Sequence, residues 1–456
     1  MMMIDIKNKK IVILGAARSG LAAAKLLHKK QAIVFISDHA TQNEKQEAMK
    51  ILQDQQINYE FGQHSDKVFD ADLVVLSPGI SSQSKIVREL RSKGIPIFSE
   101  LEIASWFCAS PIIAVTGSNG KTTTTTLLGE MLRTEMPQSI VAGNIGSAFS
   151  DFVLKSNKSS WAALEVSSFQ LETIDTFHPR VVVILNLAPN HLDWYESFED
   201  YIQAKLLILK NLHDDDYLIY NADDTLLEER IRSCPAKKKT FSLSKTDVTI
   251  FKEKNKLILE EKTLITTDQI RLNGNHNYQN AMAATLAAKI AGINDQNIIS
   301  VLSSFKGVEH RLEFVTEING VRFINDSKAT TVESLSVALT SFKTPIILIA
   351  GGKDKGSDYR KLNNLISEHV REIVLIGSAK EKMSGAWWNI CSLHQSETLG
   401  DAVEMAFSLA KPGENVLLSP ACSSFDMFQD YEDRGNQFKE IVNKVKLEYE
   451  NQPTKK

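Results

Sequence analysis

Short apolar runs recur along the chain, separated by stretches in which apolar residues return every three or four positions. Runs of the first kind suit buried strands, and the second spacing suits helices with one buried face. Residues 11–14 predict a strand and 20–28 a helix. Residues 32–36 predict a second strand ending at Ser37-Asp38, 73–76 a third ending in Ser77-Pro78-Gly79, and 96–98 a last short one. This alternation reads as a small parallel, Rossmann-like unit.

The pattern then repeats. Residues 112–116 form an apolar run that enters a Gly-rich turn, followed by Lys-Thr and a helix-like stretch through 126–132. Residues 162–166 and 180–187 read as buried parallel strands, apolar throughout, and 218–220 as a further strand. Residues 241–270 are polar with alternation, a hairpin pattern. Residues 277–292 form an Ala-rich helix that should stop at Gly292. Strands are predicted again at 321–324, 346–350, 373–376 and 416–418, with a polar, frayed tail at 448–456. At roughly 150 residues per domain, 456 residues predict three domains, placed at 1–99, 100–307 and 308–456.

Composition narrows the class. Hydrophobic content is 43% and charged content 24%, both ordinary for a globular protein. A net charge of −4 argues against broad phosphate neutralisation, so no nucleic-acid partner is expected. Cys108, Cys234, Cys391 and Cys422 are scattered without a C-x-x-C pair, which suits free thiols in a reducing compartment. No apolar run approaches the ~18 residues that span a membrane, and the charged start does not resemble a signal peptide. A cytoplasmic α/β enzyme without membrane insertion, and a monomer, is the expectation.

The chemistry is densest at Thr116-Gly117-Ser118-Asn119-Gly120-Lys121-Thr122-Thr123. Strand, Gly loop, Lys-Thr and helix is the layout of a nucleotide phosphate cradle. Backbone N–H groups and the helix dipole face the phosphates. Gly117 and Gly120 let the backbone approach, Lys121 reaches the β/γ-phosphates, and the Thr122 hydroxyl suits Mg²⁺. An ordinary βα turn could contain the same Gly-Lys pair, but the flanking strand and helix are the context the motif demands. The turn Gly15-Ala16-Ala17-Arg18-Ser19-Gly20 fails the dinucleotide fingerprint at Ala17, which disfavours an oxidoreductase, yet it still opens a helix N-terminus suited to a diphosphate. Asp38, ending the second strand, is placed for a ribose or base.

Four further constellations follow predicted strands or open helices. Glu165, in Glu165-Val166-Ser167-Ser168-Phe169-Gln170, is a carboxylate at a strand's carboxyl end, where it could hold Mg²⁺. His191, in Asn186-Leu187-Ala188-Pro189-Asn190-His191-Leu192-Asp193, could ligate a metal or touch a phosphate. Asn277 and Asn280 belong to an amide-rich helix start, and capping explains only one such Asn. The last third offers His310-Arg311, Asn325-Asp326-Ser327-Lys328-Ala329-Thr330, Gly351-Gly352-Lys353-Asp354-Lys355 and the stretch from Ser419 through Cys422, Ser424 and Phe425 to Asp426. Together these would line a pocket for a dicarboxylate or a transferring phosphate.

Taken in order, T-G-x-N-G-K-T, E-x-S-S-F-Q, N-x-x-x-x-H-L-D, H-N-x-x-N-A, H-R and N-D-S-K-A-T resemble the Mur ligases, ATP-dependent amide-forming enzymes of peptidoglycan precursor synthesis, over nearly the whole chain. The ending L-S-P-A-C-S-S-F-D-M-F with R-G-x-x-F, and the lack of D-N-P-R, look most like the D-glutamate-adding branch. The resemblance implies an α/β fold of three domains: an N-terminal Rossmann-like UDP-binding domain, a central P-loop-type ATP-binding domain and a C-terminal Rossmann-like domain. It implies UDP-N-acetylmuramoyl-L-alanine, D-glutamate and ATP as substrates and an acyl-phosphate intermediate.

The resemblance also assigns roles. Arg18, Ser19, Gly20, Asp38, Ser77 and Gly79 would bind the UDP part, with Asn144 and Ser167 near the muramoyl group. Residues 117–123 would hold ATP phosphates, Asn277 and Asn280 the adenine side, and Arg311 and Asp326 the γ-phosphate and ribose. Thr122 and Glu165 would hold one Mg²⁺, and His191 with carbamylated Lys205 a second. Lys328, Thr330, Lys355, Ser424 and Tyr431 would receive D-glutamate. Catalysis would fall to Lys121, Glu165, His191, Lys205, Lys328 and Lys355. By itself Lys205 reads as a solvated helix residue. The chain has His39-Ala40 where some relatives place Thr-Arg to grip uracil. The rival from another class is a nucleotide switch that hydrolyses ATP without any muramoyl substrate.

Overall fold

The computed structural model describes residues 5–189, 194–272, 274–354 and 356–451. The chain divides into two compact units, Met1–Phe305 and Lys306–Lys456.

The first unit carries two sheets. In the first, β1 (Lys10–Leu14), β2 (Ile33–Asp38), β3 (Asn58–Phe61), β4 (Leu73–Leu76) and β5 (Ile97–Ser99) are all parallel, in the order β3-β2-β1-β4-β5. The chain crosses from one side of β1 to the other, so the carboxyl ends of β1, β2 and β4 surround a topological switch point. Helix Arg18–Lys29 covers β1 and β2 through Ala22, Ala23, Ala24, Leu26 and Leu27. Its small residues let it lie close, and a Cβ on Gly20 would collide with the Gly15 carbonyl.

The second sheet has nine strands in the order β14-β13-β12-β11-β10-β9-β6-β8-β7. These are β6 (Ile112–Thr116), β7 (Ile140–Gly143), β8 (Ala162–Glu165), β9 (Val181–Ile184), β10 (Tyr217–Asn221), β11 (Lys237–Ser242), β12 (Ile250–Glu253), β13 (Lys256–Leu259) and β14 (Lys262–Thr266). The first seven run parallel, and β12–β14 turn back as the expected antiparallel hairpins. Strands β6, β8 and β9 are buried along their whole length because helices cover both faces. The Ala-rich helix Asn275–Ile290 packs on the cradle helix Lys121–Arg133.

Between these sheets, helix Glu100–Ser105 brings in two buried carboxylates. Glu102 accepts from the backbone N–H groups of Asp175, Thr176 and Phe177, from the Thr176 hydroxyl and from the Trp106 indole, at 2.6–3.0 Å. Five donors offset the cost of burying the charge. Glu100 accepts the Ser150 N–H at 2.6 Å, and burial pushes its carboxyl upward.

The second unit holds one sheet, β15 (Glu313–Ile318), β16 (Val321–Asn325), β17 (Ile346–Gly351), β18 (Val370–Ile376), β19 (Ser392–Gln395) and β20 (Asn415–Leu418), in the order β15-β16-β20-β17-β18-β19. Only β15 is antiparallel to its neighbour. The carboxyl ends of β16, β20 and β17 therefore lie side by side.

Candidate active site

The phosphate-type cradle forms as the motif requires. Gly117 and Gly120 have φ of 147° and 83°, the region glycine favours, and Gly120 caps the helix that begins at Lys121. A Cβ at Gly120 would strike the Asn280 side chain, whose oxygen also accepts from Thr124 at 3.2 Å. Asn280 thus lies beneath the loop, with Asn277 one turn earlier on the same helix. Asn186, just past β9, clamps the loop. Its oxygen accepts the Asn119 N–H at 2.9 Å, its amide donates to the Asn119 carbonyl at 3.1 Å, and its carbonyl accepts the Ser118 N–H at 3.0 Å. The Ser118 hydroxyl donates to the Ala188 carbonyl at 2.8 Å. Lys121 folds back onto the Gly117 and Ser118 carbonyls at 2.9 and 3.0 Å. Thr122 is buried and Thr123 half-buried in the first turn.

Glu165 ends β8 beside β6, buried to 3% exposure. Asn144, following β7, donates to its Oε1 at 3.0 Å, while the buried Oε2 has no hydrogen-bond partner. A buried carboxylate oxygen left open beside a phosphate-type loop has the chemistry of a hard-cation ligand. Among the described residues no three His, Cys, Asp or Glu side chains gather as a metal cluster. A Mg²⁺ ion here would be held by Glu165, the Thr122 hydroxyl, water and phosphate oxygens.

Lys205 overturns its solvated reading. It is 1% exposed, on helix Phe198–Leu206. Its Nζ donates to the Gly117 carbonyl at 3.1 Å and lies 4.7 Å from the centre of the Tyr201 ring. Burial, then the Lys121 charge, lowers its pKa well below the ordinary lysine value, which favours the neutral amine.

At the first sheet, Arg18 and Ser19 begin the helix after the Gly15 turn, and the Ser77 hydroxyl donates to the Gly15 carbonyl at 3.1 Å. Gly79 is exposed in the loop after β4. Asp38 does more for its own loop than its position suggested. It accepts from the Ala16 and Ala40 N–H groups at 2.7 and 2.8 Å and pairs with Lys45 at 3.1 Å. Against the opposing effect of burial, these partners hold its carboxyl below the usual range. Ser167 caps helix Ser168–Leu171 in a capping box with Gln170.

In the second unit, Asp326 follows β16 and accepts from the Leu312 N–H at 3.1 Å and the Ser419 hydroxyl at 2.7 Å. Burial pushes its carboxyl up to about 7, with Arg311 among the groups opposing the shift. Lys328 lies 5.8 Å from the Tyr431 ring centre, and Thr330 donates its N–H to the Lys328 carbonyl at 2.9 Å. Ser424 is buried on the neighbouring loop. Arg434, given no role from the sequence, joins the two loops. Fully buried, it donates to the Ser327 hydroxyl and carbonyl at 2.9 and 2.8 Å and to the Cys422 carbonyl at 3.2 Å. Burial brings its pKa down to about 10. Its only sequence signal was its place in R-G-x-x-F. His191 and Lys355 lie outside the described residues.

Three family models match the chain: the MurD N-terminal domain at residues 10–86, the Mur ligase middle domain at 115–288, and the Mur ligase glutamate ligase domain at 310–422. The UDP-N-acetylmuramoylalanine–D-glutamate ligase of Chloroherpeton thalassium is 42% identical over 461 positions, covering 96% of this chain and 98% of the relative. The ligase of that name from Salinibacter ruber is 41% identical, with 96% and 98% covered. Among solved structures, the UDP-N-acetylmuramate-alanine ligase MurC of Thermotoga maritima superposes with a TM-score of 0.61 at 20% identity, over 96% of this chain and all of that one. A pseudomurein peptide ligase type C from Methanothermus fervidus gives 0.57 at 19%, with the same coverage. These two likenesses speak to fold alone.

Proposed function

Because this chain belongs to the Mur ligase family, we propose that it joins D-glutamate to UDP-N-acetylmuramoyl-L-alanine at the expense of ATP, releasing ADP and phosphate in peptidoglycan precursor synthesis. The amino-acid specificity rests on full-length relatives named for that reaction. The activation chemistry rests on one arrangement, the convergence of Lys121 and Lys205 on the Gly117 carbonyl of the cradle.

A free carboxylate is a poor acylating agent. In the proposed sequence the L-alanine carboxylate attacks the γ-phosphorus, ADP leaves, and an acyl phosphate forms. The D-glutamate amine, as the neutral base, then attacks the carbonyl, and phosphate departs from the tetrahedral adduct. The first step brings two anions together. Lys121 would turn from its loop carbonyls to the phosphates, and the backbone N–H groups of the helix start at Lys121 would orient them, those of Ser118 and Asn119 being taken by Asn186. Thr122 and Glu165 fit one Mg²⁺, which when bound would screen the approaching anions. A second ion held by His191 and Lys205 would need Lys205 as a carbamate, and a buried neutral amine is the form that reacts with carbon dioxide.

Arg18, Ser19, Gly20, Asp38, Ser77, Gly79, Asn144 and Ser167 are proposed for the sugar nucleotide. Asn277, Asn280, Arg311 and Asp326 are proposed for the rest of ATP. Lys328, Thr330, Lys355, Ser424 and Tyr431 are proposed for D-glutamate. No helix among the described residues is long and apolar enough to cross a membrane, and a cytoplasmic monomer belongs to the same proposal.

The test is phosphate release from ATP by the purified full chain with Mg²⁺ and UDP-N-acetylmuramoyl-L-alanine, each amino acid added in turn. Release that requires both the sugar nucleotide and D-glutamate, with a product one glutamyl residue heavier, is expected. Release with another amino acid would move the chain within the family. Release needing neither would overturn the ligase reading.

A further inference from the structure

The loops after β17 and β20 lie against each other, and three side chains that the proposed chemistry does not use join them. Gly352 has a φ of 135°, and a Cβ there would strike the Ser423 carbonyl, so the first loop runs close along the second. Lys353 and Ser423 then bridge. The Lys353 N–H donates to the Ser423 carbonyl at 2.9 Å, and the Ser423 hydroxyl donates to the Lys353 carbonyl at 3.0 Å. One residue on, Asp354 opens the stretch that leads to the short helix Tyr359–Leu362.

Tyr359 is pinned at both ends. It is 2% exposed, and its carbonyl accepts the Trp387 indole N–H at 3.1 Å. Its ring meets the Trp387 ring edge-on, with centres 5.9 Å apart. Its hydroxyl donates to Asp354 Oδ1 at 2.7 Å and stands 2.9 Å from the buried Cys422 sulfur. Asp354 also accepts the Ser357 N–H at 3.2 Å and pairs through Oδ2 with Lys382 at 2.7 Å.

Protonation gives these contacts a direction. Burial acts to raise the Asp354 carboxyl, but Lys382, Tyr359 and the Gly356 N–H together hold it below the usual range, so it is an ionised acceptor. The single Tyr359 hydroxyl proton goes to it, a charge-assisted bond. The phenol oxygen then accepts from the Cys422 thiol, which keeps its proton because burial pushes its value up to about 11. The bonds run one way, thiol to phenol to carboxylate, from the loop after β20 to the loop after β17.

The Tyr359 ring fills the core beside Trp387, as a phenylalanine would. The hydroxyl has a separate task. It closes a contact between Asp354 and Tyr359, and Lys355 stands between them in the sequence, as Ser424 directly follows the bridged Ser423. We propose that Tyr359 is a positioning residue for D-glutamate, its hydroxyl tying the Asp354 carboxylate to the Cys422 loop so that the stretch carrying Lys355 keeps a fixed offset from Ser424. This inference rests on the D-glutamate reading of the second unit, and Tyr359 acts through the loop rather than on the substrate.

Steady-state kinetics of Tyr359→Phe in the full chain, with ATP, UDP-N-acetylmuramoyl-L-alanine and D-glutamate each varied, tests it. KM for D-glutamate should rise at least about fivefold, the effect of losing one buried charge-assisted bond, while KM for ATP and for the sugar nucleotide stays within about twofold. Asp354→Ala, at a side chain 26% exposed and so tolerant of change, should raise the same KM. The double variant should be no worse than Asp354→Ala alone, because the phenol then has no carboxylate to hold. Asp354→Asn, whose amide oxygen still accepts from the phenol, should stay closer to the unsubstituted protein. Hydrogen exchange of the Ser357 amide should quicken in Tyr359→Phe with no substrate present. An unchanged KM for D-glutamate, a loss confined to kcat, or additive effects in the double variant overturns the inference, since a merely structural hydroxyl would lower the amount of active enzyme and move no single KM. If the unsubstituted protein uses another amino acid instead, only the D-glutamate reading fails, and the same KM split is read with that substrate.

Discussion

Lys121 and Lys205 share one acceptor, with Nζ atoms 2.9 and 3.1 Å from the Gly117 carbonyl oxygen. Burial, and then the neighbouring Lys121 ammonium, lower the pKa of the Lys205 amine well below the ordinary lysine value. We predict that Lys205 is carbamylated. Labelled bicarbonate should give a carbamate signal in carbon NMR that is lost in Lys205→Ala. That variant should lose at least about a hundredfold in kcat and regain activity with a short-chain carboxylate in solution. Full activity without a supplement would remove the carbamate.

Gly120 and Asn280 form a lock. Gly120→Ala must accommodate both a φ of 83° and a methyl aimed at the Asn280 amide. ATP binding measured by calorimetry should weaken at least about tenfold, by a strain of 1–3 kcal/mol. Adding Asn280→Ala should recover part of the loss, because the collision is relieved and the backbone strain is not. Additive losses in a double-mutant cycle would contradict this contact.

Asp326 makes the second unit's stability depend on pH in a stated direction. Its carboxyl sits near 7 when folded, above the 3.8 of an ordinary aspartate. The folded chain therefore holds an extra proton between those values. The stabilisation is complete below about 4 and is lost as pH rises through 7, a change on the order of 4 kcal/mol. Hydrogen exchange of the β16 amides should accelerate over that window. Asp326→Asn should flatten the slope, and an unchanged slope would assign it to another group.

Arg434 ties the Ser327 loop to the Cys422 loop. Arg434→Met should destabilise the chain by about 2–4 kcal/mol, because buried carbonyls lose their donors. Ser327→Ala should cost about 1 kcal/mol and leave the arginine's two carbonyl bonds. In that milder variant, KM for D-glutamate should rise with KM for ATP unchanged. A shift in both KM values would deny the arginine a local positioning role.

The interior of the fold was legible and its rims were not. Strands β1, β6, β9, β17 and β20 are apolar because both faces are covered, so their sequences announce them. Besides the inner strand β11 (Lys237–Ser242), whose sequence opens on three lysines, the strands that gave no clear signal, β3, β7, β15 and β19, lie at sheet edges. Three of these are half exposed or mixed, as Asn58–Phe61 and Ser392–Gln395 show. The cradle was legible because glycine spacing dictates backbone shape. Lys205 was not, since a lysine in a short helix carries no mark of the cavity it enters. Asn186 and Arg434 escaped for the same reason: the loops they hold are remote in sequence and meet them only in the folded chain.

The five donors gathered on Glu102 bear on how this protein could be dismantled. The carboxylate stands three residues past β5, where a chain cut would look natural, yet four of its five donors lie more than seventy residues onward. A fragment ending at residue 99 forfeits the helix that carries it, and one beginning beyond residue 106 leaves three backbone amides and an alcohol without their acceptor. The five-stranded and nine-stranded sheets, each with its helices, are therefore poor candidates for transplantation into chimaeras, because the seam between them is stitched by a carboxylate that each half needs.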